Sequence, residues 1–431
     1  MVICPHLVLP VDELLKDDMK KALLFLKENI FSAIGFMIVA TSIANFLNYV
    51  FNVIAARLLG PERYGEFGAL LAILLILTVP SNSIQALVTK NVAEFLVEDK
   101  RGAIRELVLG YLKICVYAAF IAIVFFLAFR GILADYLHID NELPVITCGL
   151  AVAVTILAPV FAGVLQGFQR FIWLGIFFMT YALLRMILGA LFIITGGGVS
   201  GALAGGAVGV MLSIVLAYAV MKDIFSYKPS EGQVDIKKLL RSYLPVIAAF
   251  LIFFLITSID VVIVKRKFDP TLAGEYACAT FLGKIVLYFP SAVAIVLYPK
   301  FVELQSDRKR IWGLLQKGSW ITIAASLSLS AIFIAFPRPT ISILYGSEYL
   351  GASSILWVFC LAMSGYALIN LFIYYFLATD MIGFVIRVLS LAFLLEFIAM
   401  YIFASSLFQV AAVHIVVVII FIAFSIFGMR R

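Results

Sequence analysis

The 431-residue sequence predicts an all-α polytopic membrane protein, with about 12 transmembrane helices in two six-helix lobes related by a parallel internal repeat. Three observations predict it. Hydrophobic residues make up 64% of the chain and charged residues 13%, with a mean hydropathy of +1.12; soluble chains average about 45–50% and about 25%. Apolar runs of spanning length recur along the chain. One short phrase, "LLGPERYGEF" (58–67), returns near residue 266 as "KFDPTLAGEY".

A helix crosses the bilayer with about 20 predominantly apolar residues. Such runs lie at 30–56, 65–89, 109–129, 144–166, 171–195, 199–221, 243–264, 273–298, 317–337, 352–376, 381–403 and 407–428. A membrane β-barrel would instead show short alternating segments. In lipid every backbone polar group must be paired within the segment, so these runs are helices. The net charge of +7 follows from loop bias rather than from nucleic-acid binding. With the N-terminus inside, the inner segments hold roughly 22 Lys and Arg against 7 outside, which places the chain in the cytoplasmic membrane with both termini cytoplasmic.

The repeat aligns Arg57 with Arg266, Pro61 with Pro270, Gly65 with Gly274, Glu66 with Glu275 and Phe67 with Tyr276, an offset of 209. After a one-residue slip, Pro80 meets Pro290, Ser81 meets Ser291 and Lys90 meets Lys300. Gly60 suits a left-handed cap ending the first helix, and Pro61 is preset for the first turn of the next. Pro80 and Pro290 read as kinks. The domain organisation is then a cytoplasmic amphipathic N-terminal segment (1–28), an N-lobe with spans 1–6 (29–222), a charged cytoplasmic linker (223–242) and a C-lobe with spans 7–12 (243–431). Two lobes around a cleft are the architecture of an alternating-access transporter.

Charges at membrane depth are expensive and mark either function or internal pairing. Arg185, Lys284 and Arg387 are the deep cations, and Asp260 and Glu396 the acids. Three cations suit a cavity for anionic groups such as phosphate, pyrophosphate or uronate, since the arginine fork matches phosphate oxygens. The competing reading is cross-helix pairing, for instance of Arg185 or Lys284 with Glu396; Arg387 could equally snorkel to the interface. Arg387 and Glu396 are nine residues apart, about 180° around a helix, so they point apart. Ser42, Asn45, Asn48 and Asn52 share one face of the first helix, to bind sugar hydroxyls or to join helices. His414 in the last span reads as a packed hydrogen-bonding group before a proton relay.

The five cysteines are scattered, with neither disulfide nor metal spacing. There is no P-loop, so no ATPase is built in, and no catalytic constellation. The run "TGGGVSGALAGG" (195–206) reads as a tight turn followed by a small-residue packing face. A secondary transporter without cofactor or metal, acting as a monomer and binding no nucleic acid, is the expectation. A membrane-embedded glycosyltransferase or polymerase would carry acids or histidines in a large outer loop, and the outer loops here are short.

The stretch "ANFLNYVFNVIAARLLGPERYGEFGALLAILLILTVPSNSIQALVTKNVAEF" resembles the opening of polysaccharide transporters, which include the O-antigen flippases of the multidrug/oligosaccharidyl-lipid/polysaccharide (MOP) exporter superfamily. "IDVVIVKRKFDPTLAGEYACATFLGKI" is similar to their seventh and eighth helices, and "FLATDMIGFVIRVLS" to their tenth-to-eleventh turn. The resemblance implies two six-helix lobes in a V and the flipping of a polyprenyl-linked oligosaccharide for surface polysaccharide or glycan assembly. Its partners would be the lipid-linked oligosaccharide, membrane lipids and a coupling ion, H+ or Na+. Arg185, Lys284, Arg387, Asn45 and Asn48 would line the substrate cavity, with Asp260 and Glu396 as coupling residues. A MATE-like drug or small-metabolite cation-coupled antiporter is the alternative, but the first helix lacks the acid that some drug-extruding relatives carry there.

Overall fold

The computed structural model describes residues 30–227 and 236–429, so the N-terminal amphipathic segment and the middle of the charged linker lie outside the described residues. The described residues form fourteen α-helices and no strand. The first lobe holds α1 (Ile30–Val97), α2 (Arg101–Tyr136), α3 (Leu143–Gly167), α4 (Phe171–Phe192), a π turn (Ile193–Gly197) and α5 (Gly198–Phe225). The second holds α6 (Ile236–Ile256), α7 (Ile259–Lys267), α8 (Pro270–Tyr288), α9 (Ser291–Glu303), α10 (Arg308–Ala335) and α11 (Pro337–Leu344). It continues through a 3-10 turn (Ser347–Ala352), α12 (Ser353–Ala378), α13 (Ile382–Ile398), a second π turn (Ala399–Phe403) and α14 (Leu407–Met429).

Ten stretches are long and apolar enough to cross a membrane, and two of them are too long to cross once. Gly35–Val97 has 63 residues, about 95 Å if straight, against a hydrocarbon core of about 30 Å. The chain doubles back instead. The rings of Phe51 and Phe67 lie 6.1 Å apart, where sixteen residues of straight helix would separate them by about 24 Å. The reversal is at Gly60, with φ 72° and ψ 169°. The positive φ is as the sequence predicts, but this ψ lies outside the left-handed helical well, in a region open in practice only to glycine. The 55-residue stretch Phe171–Phe225 turns in the same way at Gly196 and Gly198, with φ 94° and 51°. Gly205 there lies against the backbone of Gly189, and Gly209 against that of Arg185, so the glycine-rich run is the packing face it was read as. Counting each hairpin as two gives the twelve crossings expected.

Two further spans are broken along their length. The seventh is interrupted by a turn at Thr257–Ser258, between α6 and α7, and Pro290 separates α8 from α9. Pro80 stays within its helix. Large apolar side chains such as Phe120, Ile121 and Trp320 are exposed, as in a chain whose surrounding solvent is hydrocarbon.

The two copies of the repeated phrase meet. Gly65 packs on the backbone of Gly274 and Ala273, Gly274 packs on the Pro61 carbonyl, and Gly68 lies against the Ala277 methyl. A side chain at any of these positions would hold the lobes apart. Around this contact, Tyr64 packs edge-on against Tyr345 and Tyr349, with centroids 6.0 and 5.8 Å away. The Tyr349 hydroxyl donates to the Ala56 carbonyl at 2.7 Å, and Arg57 donates to the carbonyls of Leu344 (2.8 Å) and Ile343. Lys265, 1% exposed, pairs across the junction with Glu66 at 3.8 Å. Arg266 reaches His138 in the loop after α2. These ties gather at the end of the bundle that holds the Gly60 turn, and they close the cleft there.

Candidate functional site

Each lobe carries one polar site. In the N-lobe, Arg185 on α4 is half-buried. Its Nη1 donates to Asn48 Oδ1 at 2.9 Å, and the guanidinium lies 4.8 Å over the Phe51 ring. The Tyr181 hydroxyl stands 3.5 Å away, one turn earlier on the same helix. The arginine stem runs alongside Gly206 of α5. No carboxylate among the described residues pairs with this arginine. A cavity of about 30 Å³ lined by Arg185, Tyr181 and Thr155 adjoins one of about 180 Å³. The larger shares Tyr181 and Thr155 and adds Thr78, Gln85, Phe177 and Phe178. A fixed, uncompensated cation beside hydroxyl, amide and aromatic groups suits a ligand that is anionic at one point and sugar-like elsewhere.

The C-lobe site is sealed. Asp260, Glu396 and His414 are each 0% exposed. His414 Nε2 lies 3.2 Å from Asp260 Oδ2. Its Nδ1 lies 2.8 Å from Glu396 Oε1 and 3.0 Å from the Tyr366 hydroxyl. Tyr276 donates its hydroxyl to Asp260 Oδ2 at 3.0 Å. Lys284, 4% exposed, donates to Ser258 Oγ at 3.0 Å, two residues before Asp260. The two contacts of the imidazole with the carboxylates are close but poorly directed as hydrogen bonds, which leaves both Glu396 oxygens and His414 Nε2 without an aligned partner; Asp260 Oδ1 has none either. Local structure explains how these groups reach one another. Asp260 sits in the first turn of α7, immediately after the Thr257–Ser258 interruption, where a helix N-terminus favours an anion. Glu396 sits three residues before the π turn of the eleventh span, and such bulges recur at functional sites.

The repeat shows that the fold does not need polar groups at two of these positions. The offset of 209 carries Phe51 to Asp260 (260 − 51) and Phe67 to Tyr276 (276 − 67), and after the slip to 210 Ala204 falls opposite His414 (414 − 204). The contact between the first two is carried over too. Phe51 touches Phe67, and Asp260 touches Tyr276. One lobe fills this place with two phenylalanines, the other with a carboxylate and a phenol. A Tyr276→Phe protein, which restores the residue of the first copy, is expected to lose about 1–3 kcal/mol of stability because a buried carboxylate loses its donor. Thermal unfolding in detergent, followed by tryptophan fluorescence, checks it.

The structure therefore redistributes the residues singled out by sequence. Asp260 and Glu396 meet, through His414. Arg185 and Asn48 meet, while Asn45 is exposed on the first helix; Asn52 donates to the Asn48 carbonyl at 2.9 Å, a bond within the helix. The three cations do not share one cavity. Lys284 is enclosed in the C-lobe core. Arg387 is exposed, and its Nε donates to the Gly383 carbonyl of its own helix at 3.2 Å. That position follows from Glu396 taking the buried face of α13, half a turn away. Neither Arg185 nor Lys284 pairs with Glu396. Tyr276, Tyr366 and Ser258 were missed, and His414 was read as packing. The available signal was the repeat, in which Asp260 and Tyr276 replace Phe51 and Phe67.

Comparison with known proteins places this architecture. The profile of the polysaccharide biosynthesis protein family matches residues 30–305. An uncharacterized membrane protein of Methanocaldococcus jannaschii is 28% identical over 278 residues, which are 58% of this chain and 63% of that protein. An inward-facing multidrug-resistance transporter of the MATE family, MOP superfamily, superposes with a TM-score of 0.74 at 13% identity, covering 91% of this chain and 98% of its own. The lipid II flippase MurJ in an inward closed conformation superposes with a TM-score of 0.71 at 16% identity, covering 92% and 87%. The chain belongs to the polysaccharide biosynthesis protein family and is a multi-pass membrane protein.

Proposed function

We propose that this transporter flips a polyprenyl-linked oligosaccharide from the inner to the outer leaflet of the cytoplasmic membrane, for surface polysaccharide or glycan assembly. The observation that carries the proposal is Arg185, a half-buried cation without a counter-charge, beside a cavity of hydroxyl, amide and aromatic groups in the N-lobe. A phosphate or acidic sugar supplies the missing charge, the cavity groups hold sugar hydroxyls, and the lipid tail stays in the bilayer. The loop-charge bias sets both termini in the cytoplasm. The closed end around Gly65 and Gly274 is then the outer gate, and the lobes rock about the cleft to open it. Asp260 and Glu396 couple this motion to an ion. Purified protein in liposomes is expected to deliver a fluorescent polyprenyl-diphosphate oligosaccharide to a glycan-cleaving enzyme outside, and not to move an organic cation such as ethidium. The opposite pattern would establish the MATE-like antiporter, which calls for a cavity dominated by acids rather than by Arg185.

A further inference from the structure

We infer that the ion bound in the C-lobe is a proton, and that His414, standing between Asp260 and Glu396, is the group that holds it. The inference rests on the coupling role proposed for these two acids and specifies its chemistry. The imidazole stands between the carboxylates, with one ring nitrogen 3.2 Å from Asp260 and the other 2.8 Å from Glu396. It occupies the place in which a sodium ion would have to sit to touch both. Among the described residues no group of acids, cysteines and histidines is arranged to hold a metal ion.

Charge balance points the same way. The titratable groups of the cluster come from four other helices: Asp260 from α7, Tyr276 and Lys284 from α8, where they bond to Asp260 and to Ser258, Tyr366 from α12 and Glu396 from α13. Two carboxylates, one ammonium and an imidazolium sum to zero. With a neutral imidazole the sum is −1. In a core that excludes water an uncompensated charge is costly, so the sealed state holds the proton. Loss of the proton favours a state in which water reaches the cluster. The step is a transfer between His414 and solvent, with no other bond made or broken. The four unaligned atoms there, His414 Nε2 among them, mark a set of groups not fully satisfied in this state. Both carboxylates adjoin breaks in their helices, at Thr257–Ser258 and at Ala399–Phe403, where the backbone can move. In the first copy Phe51 and Phe67 stand where the second has Asp260 and Tyr276, so packing alone does not account for these two polar groups.

The test follows the closed end of the cleft. Spin labels on Leu58→Cys and Ile343→Cys, both exposed there, report its opening in the full chain in liposomes. The four described native cysteines are buried, and Cys4 is replaced by Ser. Between about pH 5 and pH 8, where imidazole changes charge, the short distance is expected to be favoured at acid pH. Its ratio to the long distance should change at least about fivefold, the lower end of ordinary coupling. Exchanging sodium for choline at fixed pH should change nothing. His414→Gln should flatten the pH response. Glu396→Gln keeps the imidazole but removes a negative neighbour, and should move the midpoint down by about one pH unit or more. A pH response that survives in His414→Gln, or an unmoved midpoint in a folded Glu396→Gln protein, overturns the proton assignment. A sodium response abolished by Asp260→Asn overturns it while leaving ion coupling standing. No response to either ion removes the coupling role itself.

Discussion

Arg185→Ala is expected to lower the delivery of lipid-linked oligosaccharide tenfold to a hundredfold, with insertion and folding preserved. The guanidinium is held in advance by Asn48 Oδ1 and by the face of Phe51, so little order is lost when it meets an anion. A charge-assisted hydrogen bond is worth about 1.5–3 kcal/mol, and each 1.4 kcal/mol is about tenfold. Folding is spared because no acid among the described residues depends on this arginine, and removing it strands no buried carboxylate. Arg185→Lys should recover only part of the rate, since an ammonium keeps the charge but loses the two-pronged fork and the flat contact with the ring. The liposome delivery assay reads both variants. Full delivery by Arg185→Ala would move the substrate away from the N-lobe cavity.

Gly274→Ala is expected to open the end of the cleft that is now closed. The added methyl would fall on the Pro61 carbonyl, and backbone cannot rotate aside as a side chain does. Overpacking of this kind costs about 1–3 kcal/mol. The cost arises only where the lobes touch, so it should shift the closed–open equilibrium about 5- to 150-fold toward open. Gly65→Ala acts in the same direction, its Cβ falling 2.9 Å from the Gly274 nitrogen. A cysteine placed at Ala56, buried beneath Tyr349 in the closed end, should become reactive to a membrane-impermeant maleimide in either variant. An unchanged reaction rate would mean that the glycine contact is not what limits opening.

The spans and their turns were legible in the sequence because the bilayer applies one filter along the whole chain, and because Gly60 and Pro61 have local backbone requirements that glycine and proline alone meet. The repeat was legible for the same reason, since backbone contact preserved Gly65 and Gly274. The partner of each buried charge was not. Asp260, Glu396 and His414 are separated by 136 and 18 residues (396 − 260, 414 − 396), and helical periodicity says nothing about which face of one helix meets which face of another. Counting cations by depth put Arg185, Lys284 and Arg387 together. Depth, however, is one coordinate of three, and rotation about the helix axis sends Arg387 outward once Glu396 is inward. Setting the two copies side by side would have recovered part of the answer: Asp260 and Tyr276 in the second stand where the first has Phe51 and Phe67.

The contact between Gly65 and Gly274 has a consequence for how such a protein can arise. The two residues are equivalent, so a half-length chain pairing with an identical half would bring this glycine against its own symmetry mate, in a self-complementary contact. Any side chain there would have clashed with itself, twice over in a single mutational step. Once the halves are fused the position stays constrained, because backbone still meets backbone, while residues one layer away are released from having to match themselves. Phe51 and Asp260 are such a released pair. An identical pairing would have to bury two carboxylates or none. The fused chain can keep an apolar wall under Arg185 in one half and a titratable cluster in the other, the inequality that the proposed transport of a lipid-linked sugar against an ion would require.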